Sequence, residues 1–99
     1  MARWMVLISP VGGSPHGPYR VDTLTEFEAS HEEAPGVFLN LVNTFDRDVR
    51  KPRRRQAFKC SERTYVLRVE GYMKQLEYRF ELAELVADTA APDLPDTIP

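Results

Sequence analysis

The chain has 99 residues, 42% of them hydrophobic and 28% charged, with a formal net charge of −2. That make-up suits one soluble globular domain, large enough to form a core without metal or disulfide staples. A single cysteine, Cys60, excludes a disulfide framework within the chain. No apolar run approaches the roughly 18 residues that a bilayer-crossing helix needs. The opening run WMVLI is too short for a signal-peptide core, so the sequence predicts a cytoplasmic protein.

In chain order, RWMVLISPV alternates Trp4, Val6 and Ile8 with Met5 and Leu7. Both parities are apolar, which predicts a strand covered on both sides. GGSPHGP follows as turn punctuation. In YRVDTLTEFEAS, one parity holds Tyr19, Val21, Thr23, Thr25, Phe27 and Ala29, while the other holds Arg20, Asp22, Glu26, Glu28 and Ser30. Leu24 is the single misfit. Period two with β-branched and aromatic residues predicts a half-exposed strand. A helix over 23–34 competes through the capping-box spelling TLTE, but its apolar stripe of Leu24, Phe27 and Ala34 is thin.

SHEEAPG breaks the pattern, and in VFLNLVNTF two periods conflict. Val37, Phe38, Leu41, Val42 and Phe45 would line a helix; Val37, Leu39 and Leu41 would line a strand. Weak helix formers and Gly36 at the start of the run favour a buried strand. A basic stretch comes next, read as a loop, and then QAFKCSERTYVLRVEG, where Tyr65, Leu67 and Val69 face away from Arg68 and Glu70. Finally LEYRFELA sets Leu76, Tyr78, Phe80 and Leu82 against Glu77, Arg79, Glu81 and Ala83. Residues 73–88 are also rich in helix formers, yet the alternation favours a closing strand. Residues 89–99, rich in Pro and Asp, read as a flexible acidic tail after a single globular domain over 1–88.

These elements predict a mainly β fold, a small antiparallel sandwich or barrel of about five or six strands. The alternative is an α+β fold with one or two helices, residues 23–34 and/or 73–88, packed on an antiparallel sheet.

Charge is uneven. Residues 47–63 carry eight Lys or Arg against Asp48 and Glu62, whereas the rest of the chain carries five Lys or Arg against thirteen acids. A positive island on an acidic chain suits contact with an anionic partner. Arg50, Lys51, Arg53, Arg54 and Arg55 are its dense centre. Clustered cations bind nucleic acid by releasing counterions from phosphates, and the same cluster can dock an acidic protein surface or be masked by the acidic tail. The plainer reading is a solvated loop that resists aggregation.

Other chemistry has weaker support. His16, His31 and Cys60 lie in different segments without the paired spacing of a zinc site, so no metal or cofactor is predicted. Cys60 with a histidine base would make a nucleophilic pair, but a lone cysteine on a strand reads more simply as a small buried residue. The expectation is therefore a small non-enzymatic regulatory or adaptor domain that uses the basic loop to contact nucleic acid or an acidic protein. One alternative is a structural interaction module with an apolar homodimer face, since residues 4–8 and 37–42 have more apolar sides than one core requires. Another is a small-molecule-binding protein or enzyme with a pocket between sheets, lined by Tyr19, Tyr65 and Tyr78.

Overall fold

The computed structural model describes residues 1–11, 21–45, 53–71 and 75–98. Its elements are β1 (Ala2–Pro10), β2 (Asp22–Ala29), α1 (Ala34–Thr44), β3 (Arg54–Ser61), β4 (Thr64–Glu70) and β5 (Gln75–Glu84). The five strands form one antiparallel sheet in the order β2-β1-β5-β4-β3. The mainly β expectation holds, with α1 as the second layer. Both segments that wavered between helix and strand, 23–34 and 73–88, supply strands, β2 and β5. The GGSPHGP turn lies outside the described residues.

Directly opposed residues in an antiparallel pair share a face, so the registers sort the side chains. One face carries Trp4, Val6 and Ile8 of β1, Leu82 and Phe80 of β5, and Leu67 and Val69 of β4, all buried. Helix α1 packs there. Phe38 meets Tyr65 edge-on at 5.7 Å between centroids, and Phe45 meets Tyr78 at 5.1 Å and Phe80 at 5.2 Å. The opposite, open face carries Met5 and Leu7 with Glu77, Arg79, Glu81 and Ala83. Among the described residues no helix or second sheet lies on it.

The strand expected over VFLNLVNTF is the helix α1. Phe38 and Val42 follow Ala34 at intervals of four and all three are buried, while Gly36 and Asn40 between them are exposed. A strand would turn all five to one face, whereas a helix turns Gly36 and Asn40 away. The start is set upstream. Ser30 Oγ accepts the Glu33 N–H at 3.1 Å, and Glu33 Oε1 accepts the Ser30 N–H at 3.4 Å. That reciprocal pair is the capping-box arrangement, spelled SHEE rather than TLTE. Pro35 in the first turn, where no intrahelical N–H bond is lost, completes the start signal.

Leu24, the parity misfit, also has a physical place. Val6 opposes Thr25 while Leu7 opposes Thr23, so Leu24 is the extra residue of a β-bulge. The slip turns its side chain onto the core.

The helix and strand assignments of residues 37–45 differ in which neighbour they bury, and denaturation separates them. Phe38 is 0% exposed and Leu39 is 37% exposed. Phe38→Ala is expected to cost roughly 3–5 kcal/mol, and Leu39→Gln less than about 0.5 kcal/mol, measured by urea unfolding. Comparable costs would contradict the helix.

Candidate functional site

The basic stretch enters the sheet at an edge. Arg53 donates its backbone N–H to Glu70 O at 2.7 Å, and β3 then runs from Arg54 with β4 as its neighbour. A strand alternates its side chains between two faces, so the three arginines do not form one patch. Arg54 opposes Glu70 on the open face, whereas Arg55 opposes Val69 on the helix side. The loop predicted here is thus partly strand. Arg50 and Lys51 lie outside the described residues.

Arg55 is half-buried, and its Nη2 donates to Val42 O at 3.3 Å. That carbonyl belongs to the last turn of α1, which carries no basic residue of its own. A cation there complements the negative end of the helix dipole. Arg55 therefore ties the edge strand to the helix.

The remaining cations fall into two groups. Arg68 Nε donates to Glu77 Oε1 at 3.1 Å and Nη1 to Gln56 Oε1 at 3.4 Å, while its guanidinium lies 5.1 Å from the Phe58 ring centroid. Arg79 pairs with Glu81 at 3.0 Å, Arg3 with Asp88 at 3.6 Å, and Arg63 with Glu84 at 3.9 Å. Lys59 donates to Glu62 at 2.7 Å, and that hydrogen bond and negative charge raise its ammonium above the ordinary lysine value. Arg53 and Arg54 differ. Both are exposed, and among the described residues their side chains have no carboxylate or hydrogen-bond partner.

The opposite edge is acidic. Glu26 and Glu28 of β2 stand on the open face, opposite Met5 and Arg3. Together with Arg3, Met5, Leu85 and Asp88 they line an open groove of ≈ 580 Å³. Tyr65 and Tyr78 are not part of it, being packed under α1; Tyr19 lies outside the described residues. The groove was hidden in the sequence because β2 and the segment after β5 meet only across β1. The alternation of Glu26 and Glu28 was its one visible trace.

Asp88 also bears on tail masking. It pairs with Arg3, and its backbone N–H bonds Pro95 O at 3.0 Å, which turns residues 88–95 back at that end of the sheet. Arg54 lies beside Glu70, which pairs with Gln75 at the other end of β5.

A charged cluster closes the core near Trp4. The indole N–H donates to Ala29 O at 3.0 Å, His31 approaches the ring edge-on at 5.3 Å, and the Arg63 guanidinium lies 5.2 Å from the ring centroid. Glu84 holds His31 at 2.9 Å. Its contacts join the start of α1 and the β3–β4 turn to β5, which is a structural role.

Cys60 is exposed at an irregularity in β3, not buried as a small apolar residue. Among the described residues no group of three or more His, Cys, Asp or Glu could hold a metal ion, and no helix is long and apolar enough to cross a membrane. Compared with family models, curated proteins and solved structures, the chain matches none.

The two adjacent arginines should behave differently on substitution. Arg55→Ala, which removes the bond to Val42, is expected to cost about 1 kcal/mol; Arg54→Ala should stay within about 0.5 kcal/mol. Equal costs in urea unfolding would contradict the division. Cys60 should react with a thiol reagent in the native protein within about tenfold of its rate in the unfolded chain; stronger protection would place it in the interior.

Proposed function

We propose that this chain is a non-enzymatic regulatory or adaptor domain that contacts an acidic protein surface through the cationic start of β3. One observation carries the reading. Of the Lys and Arg among the described residues, only Arg53 and Arg54 have side chains with no partner in the fold. A cation already held by a carboxylate must lose that contact to bind elsewhere; an unpaired surface arginine need not. Arg50 and Lys51, just upstream in the sequence, add charge to the same stretch.

An acidic protein is favoured over nucleic acid by the surroundings. Glu70, Glu77 and Glu81 stand on the same open face as Arg54. A phosphate backbone tracking across that face would meet carboxylates, whereas nucleic-acid grooves are broadly positive. Single strands also need stacking aromatics, and Phe58 already has Arg68 against it.

A second reading rests on α1. All 11 of its residues are uncharged, and Val37 and Leu39 are 40% and 37% exposed. An apolar contact, including a homodimer face, would use that side.

The test is binding of a labelled glutamate-rich peptide and of a single-stranded oligonucleotide across a salt series. The peptide is expected to bind at low salt and weaken as salt rises. Arg53→Ala with Arg54→Ala should lower its affinity by about tenfold. Undiminished binding by the double variant would overturn the assignment, and tighter binding of the oligonucleotide would move it to nucleic acid.

A further inference from the structure

We infer that the acidic partner of the proposed contact binds as an extended strand, added to the free edge of β3. The inference rests on the reading just given and specifies how the contact is made.

The first observation is topological. β3 ends the sheet, and among the described residues only β4 pairs with it. One side of its backbone is therefore available for a further ladder, the interaction that drives strand addition. Six of its eight residues are exposed, and Arg55 and Gln56 are half-buried.

Helix α1 is tied to the start of this edge through Arg55 and Val42 O, and the strand beyond is open. Ala57 and Lys59 oppose Leu67 and Tyr65, so they stand on the helix side of the sheet, yet both remain exposed. Among the described residues, no element overhangs Ala57 to Lys59 on that face or on the open one.

Charge selects the occupant. Edge strands are commonly protected by a charge in mid-strand or by a bulge. Here the centre, Gln56-Ala57-Phe58, is uncharged, and the register stays regular from Arg54 to Lys59 before it shifts near Cys60. The charges lie at the ends. Lys59 is held by Glu62, and Arg53 and Arg54 are free of side-chain partners. Antiparallel pairing of β3 with a second β3 would bring like charges together, which disfavours self-pairing. A strand with two consecutive carboxylates beside Arg53 and Arg54 is complementary, since successive side chains project to opposite faces. Apolar or β-branched residues would then continue past Ala57 and Phe58.

The experiment uses the full chain and a synthetic peptide of about ten residues, two glutamates followed by alternating valine and threonine, long enough for a typical strand. Two further versions are N-methylated at one or the other set of alternate backbone nitrogens, which leaves their charge intact. Strand addition predicts that one set lowers affinity by about tenfold or more, through lost ladder bonds, and that the other has little effect. It also predicts slowed hydrogen exchange at β3 amides when the parent peptide binds. Equal binding by all three peptides would overturn strand addition and leave the charge contact standing. Failure of the parent peptide to bind at all would overturn both. A dimer by light scattering with β3 amides protected in the absence of peptide would assign the edge to a second copy instead. Oligonucleotide binding that displaces the peptide without protecting β3 amides would likewise overturn the inference.

Discussion

The two ladders that β5 makes, with β1 on one side and β4 on the other, turn two separate hairpins into a single sheet. Without β5, the β1–β2 pair and the β3–β4 pair would each expose half a core, and isolated hairpins are marginal in water. Phe80 and Leu82 lie at this seam: Phe80 opposes Ile8 and Tyr65, Leu82 opposes Val6, and Phe45, just past the end of the helix, closes over Phe80. The β1–β5 pairing joins the first strand to the last. Its closure entropy is incurred across most of the chain before the contacts compensate for it. With β5 in the centre, β2 and β3 take the outer positions of the sheet.

Much of this arrangement could be read from residue order. LEYRFELA alternates without a slip, and the alternation prevailed over its helix-forming composition because both β1 and β4 flank it. RWMVLISPV is apolar on both parities and forms an interior strand, but the cover expected on both sides is met on one only: among the described residues no helix or second sheet lies over Met5 and Leu7. Even the misfit Leu24 marked something physical, the bulge that turns it toward the core. VFLNLVNTF misled because its apolar residues satisfy both periods. Propensity then pointed to a strand, while tertiary burial of Phe38 and Val42 decided for a helix. The decisive signal stood outside the segment, in Ser30, Glu33 and Pro35.

The site was legible as composition and not as geometry. The run of arginines was plain, but treating it as loop concealed that strand alternation divides it. Arg55 turns toward the helix and becomes part of the scaffold. Arg54 remains on the surface beside Glu70. Nor does sequence alone reveal which cations are already held: Arg68 and Glu77, or Arg63 and Glu84, become partners only through the register.

The order of strands also gives the molecule an electrical polarity. Glu26 and Glu28 lie on one outer strand, and Arg53 and Arg54 adjoin the other. With neighbouring strands roughly 4.8 Å apart, the outer two are separated by about 19 Å. The resulting dipole lies in the plane of the sheet, across the strands, and its span exceeds the screening length of about 8 Å at physiological ionic strength. Each end therefore acts on its surroundings nearly independently. A charge close to Arg53 and Arg54 is little affected by Glu26 and Glu28 at the far edge.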